Sequence, residues 1–173
     1  MRHVASFILL VFLSGMVADS ALAQGQPRKL SSHRDWDAFT RAENGEKTCY
    51  ITSTPTRSRA SRRGARRGLI FISVSHRPAF GVKDEVQVDV GYPLRQGSEA
   101  RLQVDGKRAY QFFTEGSGAW AYDPKDDSSL VTAMKAGVNL VVRATSQRGT
   151  NTTDTYSLRG FTAAYNAITR ACR

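Results

Sequence analysis

Between Glu85 and Val90 the chain reads EVQVDV, with Val86, Val88 and Val90 facing one way and Glu85, Gln87 and Asp89 the other. That period of two is the mark of a half-buried strand. Upstream, LIFISV (Leu69–Val74) is a continuous apolar run that predicts a central, fully buried strand. DWDAFTRA and TCYITSTP read as two short strands joined through ENGEK, whose Asn44-Gly45 is a strong hairpin signal. ARLQV and KRAYQFF flank Asp105-Gly106, a pair suited to a type I′ turn because both residues need positive φ. AWAY, VNLVVRAT and TTDTYSL complete the strand-like segments.

The period changes twice. In DPKDDSSLVTAMKAG, Leu130, Val131 and Met134 share a helical face, Asp126 or Asp127 can cap its start, and Gly137 stops it. This predicts a short helix near 127–136. Phe161, Ala164, Tyr165, Ile168 and Cys172 recur at helical spacing and predict a C-terminal helix near 161–172. Many short strands with two brief helices imply an all-β fold, a sandwich or barrel-like sheet, with mixed α+β as the alternative.

The first residues have a different character. A basic start (Arg2, His3), an apolar run from Val4 to Val17 and small residues at Ala21 and Ala23 form the three-part layout of a secretory signal peptide over residues 1–23. The apolar run is shorter than the ~20 residues that a spanning helix needs, and no later stretch is long and apolar enough. The mature chain is expected to start near Gln24, with a flexible lead-in over 24–35 and a single domain over 36–173. Export also bears on Cys49 and Cys172, the two cysteines of the chain. In an oxidising compartment they can form one intramolecular disulfide; two buried free thiols are the alternative.

The formal charge is +10, from 25 Lys+Arg against 15 Asp+Glu. Such a balance favours anionic surfaces, and export leaves envelope components rather than nucleic acid as the expected partners. The stretch RSRASRRGARRG concentrates Arg57, Arg59, Arg62, Arg63, Arg66 and Arg67 without an acidic residue. It reads as an anion-binding arm, because arginine forks phosphates and carboxylates, or as an exposed, mobile solvated loop. A protease-processed loop is a third reading, from its paired arginines.

Catalytic signatures are sparse. The chain lacks G-x-S-x-G, S-x-x-K, H-E-x-x-H and a phosphate loop. His33 falls in the expected lead-in and His76, before Arg77-Pro78, reads as a turn residue. Asp123, Asp126 and Asp127 lack the spacing of a calcium loop. No CxxC or His-rich cluster accompanies either cysteine, so no metal ligand, cofactor site or catalytic residue is assigned. Trp36, Trp120, Phe112 and Phe113 read as core or half-core residues, with an exposed aromatic face as the alternative.

In order along the chain, TCYITSTP, RRG before an apolar strand, EVQVDVGYPL, VDGKRAYQFFTEGSGAWAYD, LVTAMKAG and RGTNTTDTYSLRGFTAAYNAITRAC resemble the invasion-associated locus B family of exported Gram-negative proteins. The resemblance implies a periplasmic protein, outer-membrane associated or secreted, with no shared enzymatic activity or cofactor; the family name refers to host-cell entry. The expectation is a non-catalytic envelope protein that binds an anionic envelope component or a protein partner. The alternative is an envelope hydrolase or transferase with an unrecognised site.

Overall fold

The computed structural model describes residues 25–173; the expected leader, residues 1–23, lies outside them. Eleven strands form one antiparallel sheet: β1 (Arg28–His33), β2 (Trp36–Glu43), β3 (Glu46–Ser53), β4 (Arg57–Ala60), β5 (Phe71–Arg77), β6 (Val82–Asp89), β7 (Glu99–Val104), β8 (Ala109–Glu115), β9 (Gly118–Ala121), β10 (Asn139–Thr145) and β11 (Asn151–Ser157). Helix α1 (Pro124–Ala136), helix α2 (Phe161–Ala171) and a single 3-10 turn at Pro78–Phe80, between β5 and β6, complete it.

The order across the sheet is β1-β2-β3-β5-β6-β9-β8-β7-β10-β11-β4. β3 and β4 are joined by Thr54–Thr56 yet stand eight strand spacings apart, ~38 Å on a flat sheet. A four-residue step spans at most ~14 Å. The sheet must therefore roll until the end of β3 meets β11, where the Thr56 N–H donates to the Thr155 carbonyl at 2.8 Å. It stays open between its edge strands β1 and β4. The all-β, barrel-like expectation holds in this form.

The inner face supplies the core. Ile51, Ile72, Val74, Val86, Val88, Leu102, Phe112, Leu140, Val142 and Tyr156 are wholly buried. Helix α1 packs on β6, and α2 packs across β1, β2 and β3. Trp36 meets Phe161 edge-on, with ring centroids 4.9 Å apart. At the other end of α2, a disulfide joins Cys49 on β3 to Cys172, the residue that caps the helix.

Several local expectations change. Residues 28–33 are a strand rather than a loose lead-in: polar side chains suit an edge strand, and Lys29 pairs with Asp37 of β2 at 2.9 Å. β5 begins at Phe71 and alternates, with Ile72, Val74 and His76 buried and Ser73 and Ser75 outward. Leu69 is left 72% exposed, because an antiparallel sheet with one wet face asks for a period of two, not a continuous apolar run. Helix α1 starts at Pro124, a residue suited to the first helical position, and Asp123 caps it by accepting the Lys125 N–H at 2.8 Å. Asp126 sits in the first turn, and Asp127 turns inward to accept the Val86 N–H at 3.0 Å. Asn44-Gly45 and Asp105-Gly106 have positive φ at both residues, as their hairpins require.

Candidate functional site: an arginine-rimmed pocket

On β11, Thr152, Asp154 and Tyr156 face inward. A carboxylate at such a position needs a partner, because an unpaired buried charge is strongly unfavourable. Arg67 supplies it. Its Nη1 and Nη2 donate to Asp154 Oδ1 and Oδ2 at 2.7 and 2.6 Å, while Nε and Nη2 donate to the Val90 carbonyl at 3.0 and 2.8 Å. The guanidinium also lies 5.1 Å from the Tyr92 ring centroid. Burial pulls the Arg67 pKa down, but the Asp154 carboxylate more than reverses this, so it ends above its ordinary value.

The segment carrying Arg67 crosses the end of β6 at close range. The Gly68 N–H donates to the Gly91 carbonyl at 2.7 Å. Gly91 has φ +72°, and a Cβ there would fall 2.8 Å from the Gly68 carbonyl oxygen. Glycine is thus required both by the backbone angle and by the crossing.

Further back, the segment is stitched along β11. β4 pairs Arg57 with Thr155 and Arg59 with Thr153, and the Ser61 N–H donates to Asn151 O at 2.8 Å. The arginine run is therefore not one mobile loop: its first part is an edge strand and its last arginine is a buried anchor. What projects between them is the turn holding Arg62, Arg63 and Arg66, all exposed.

That turn faces the β10–β11 connection, and the two enclose a cavity of about 580 Å³. Arg62, Arg63, Arg66 and Arg148 line it together with Tyr92 and Thr152, and no acidic residue does. Among the described residues these four arginines have no ion-pair partner. Tyr92 and Thr152 share a hydroxyl hydrogen bond of 2.5 Å at the cavity wall. Guanidiniums converging on a concavity are suited to grip phosphate or carboxylate oxygens bidentately.

The sequence candidates divide three ways. Arg62, Arg63 and Arg66 line the pocket, Arg67 holds its floor, and Arg57 and Arg59 stand on the edge strand. Arg59 lies in register with Thr153, Arg143 and Arg101, which extends a basic strip over the outer face. Arg148, Arg143 and Arg101 were missed by sequence reasoning. Each is a lone arginine in its own segment, and only strand register brings it near the run.

His76 is a buried strand residue, not a turn residue, and it lies away from this pocket. Its Nδ1 accepts the Asp84 N–H at 3.2 Å, and its Nε2 meets Thr169 Oγ1 at 3.2 Å. Tyr165 donates to Asp84 Oδ1 at 2.5 Å. Burial lowers the His76 pKa against the opposing pull of Asp84, favouring the neutral ring. Together these groups tie α2 to β5 and β6 beside the disulfide. His33 stands on β1, bonded to Ser31 at 2.8 Å.

The fold and site define a rolled antiparallel β protein with two packed helices, a single cystine and a basic, arginine-rimmed cavity. The chain belongs to the family described as invasion associated locus B (IalB) protein, whose family model matches residues 36–169. No curated protein and no solved structure matches it. Among the described residues, no helix is long and apolar enough to cross a membrane.

Proposed function

We propose that this protein is exported to the periplasm of a Gram-negative bacterium and binds, without catalysis, an envelope component bearing phosphate or carboxylate groups. The observation that carries the reading is the cavity rimmed by Arg62, Arg63, Arg66 and Arg148, four cations without an internal counter-ion among the described residues. Like charges gathered this densely repel one another unless a partner offsets them. His33 and His76 lie elsewhere, which fits a binding role better than acid–base chemistry at this pocket. The disulfide and the signal-like start fit an oxidising compartment.

The test is titration of the mature protein against lipopolysaccharide and against anionic vesicles at several salt concentrations. Each neutralised phosphate contributes a log–log slope of about −0.9 on duplex DNA, and less on a sparser polymer. Arg62→Ser, Arg63→Ser, Arg66→Ser and Arg148→Ser combined should weaken binding and flatten that slope. Arg67 is left in place because it holds the floor. Equal affinity and slope in variant and wild type would overturn the reading. Periplasmic fractionation with an N-terminus at Gln24, read by mass spectrometry, tests the location.

A further inference from the structure

The outer face of the sheet carries a second concavity, about 560 Å³, over β3, β5 and β6. Its character is opposite to that of the basic pocket. Two arginines and two glutamates line it, so its formal charges cancel. Arg77 is paired with Glu85 at 2.6 Å, Ser75 donates to the same carboxylate at 3.2 Å, and Arg41 is also engaged. The side chains of Thr48, Tyr50, Ser73 and Gln87 face the same groove and make no hydrogen bond among the described residues.

Aromatic rings flank these free hydroxyls and the free amide. Tyr50 stacks on Phe39, with centroids 5.3 Å apart and planes 14° from parallel. Phe80 stands 65% exposed on the rim, with the Arg77 guanidinium 5.8 Å from its centroid. Beside Gln87, in strand register, lies Trp120. A Cβ at Gly118 would fall 2.2 Å from Trp120 Cη2, so the indole lies down on the sheet where glycine leaves room. Phe113 stacks beside it at 5.9 Å. Tyr50 and Trp120 are three strand spacings apart, ~14 Å, so groove and aromatic platform form one extended track.

This chemistry narrows the occupant. A polyanion finds no free cation here, and a purely apolar ligand would strand the hydroxyls and the amide without partners. An added peptide strand needs an open sheet edge, whereas β3, β5 and β6 are interior. A neutral oligosaccharide meets every requirement: its C–H faces lie on the rings, and its hydroxyls pair with Thr48, Tyr50, Ser73 and Gln87. We propose that this outer groove is a neutral-glycan binding site, separate from the arginine pocket.

The probes are three neutral tetrasaccharides: a β-1,4-linked N-acetylglucosamine tetramer, cellotetraose and maltotetraose. Binding is followed by tryptophan fluorescence and by calorimetry on the disulfide-intact protein. At least one probe should bind. Its affinity should hold between about 0.1 and 1 M salt, where the screening length falls from ~10 to ~3 Å. It should also survive the Arg62, Arg63, Arg66 and Arg148 serine variant, which separates this site from the proposed anion site. Phe80→Ala and Gln87→Ala should each weaken it about tenfold, the equivalent of ~1.4 kcal/mol. Both sit on the solvated face, and unchanged circular dichroism and melting would show that the fold is intact. Lack of binding by all three probes at roughly 10 mM, well above a 1 mM Kd of about −4.1 kcal/mol, would overturn the proposal. So would binding that neither substitution changes.

Discussion

Removing Arg67 should damage this protein more than any other change in the arginine run. The side chain is 10% exposed and its partner Asp154 1%, so Arg67→Ala strands a carboxylate that cannot reach water. It also leaves the Val90 carbonyl without the two N–H groups it accepts. Breaking a buried pair from one side costs about 3–5 kcal/mol. For a domain of this size that is a fall of roughly 6–20 °C in melting temperature. Asp154→Ala should cost somewhat less, since the longer arginine can swing towards solvent. Replacing both together, as Arg67→Met with Asp154→Leu, should cost much less than the two alanine changes summed, because no charge is left unpaired. The assay is thermal and urea unfolding of the four proteins, with the loss in the paired replacement set against the sum of the two alanine losses. An Arg67→Ala loss under about 1 kcal/mol, near the median of ordinary substitutions, would refute the anchor argument.

Two further predictions concern the disulfide and Asp127. Cys49→Ser and Cys172→Ser should each lose roughly 4–5 kcal/mol on the chain-entropy scale, since the bond closes a sequence separation of 123 residues, with no additional loss in the double variant. Labelling of both thiols in unreduced native protein would contradict that bond. Asp127 is pushed up to about 7, chiefly by burial, with Glu85, Asp84 and Asp126 adding to the rise and the Val86 N–H opposing it. Because the folded-state value is raised, its contribution is fully present below about pH 4 and is lost as pH rises through about 7, an effect of up to ~4 kcal/mol. Asp127→Asn keeps an acceptor for the Val86 N–H and should remove that decline, measured as melting temperature from pH 4 to 8.

Local signals carried most of the secondary structure. The alternation in EVQVDV, the two turn dipeptides and the helical spacing around Tyr165 each depend on residues a few positions apart, and each element formed where its pattern stood. The misreadings have the same root. LIFISV looks continuous unless one knows that Ser73 and Ser75 face solvent across a one-sided sheet. Residues 28–33 look loose until β2 offers them an edge. Asp123 caps α1 because Pro124 begins the helix, although Asp126 and Asp127 lie closer to its apolar face.

The site was legible only as composition. The arginine run announced positive charge, but nothing within it distinguishes Arg67 from Arg66. The distinction comes from Asp154, 87 positions away on the inner face of β11, and from a glycine crossing at Gly91 that brings the two together. Arg148 joins the rim only because β4 and β11 pair. The outer groove is assembled from β3, β5 and β6, whose polar residues read as ordinary solvent-facing positions. Sequence alone determined the periodicities, the turns, the net charge and the cysteine pair, because those are properties of neighbours or of sums. Which arginine is buried, which are free to bind and which aromatic rings share a face depended on long-range register, and only the rolled sheet decides that.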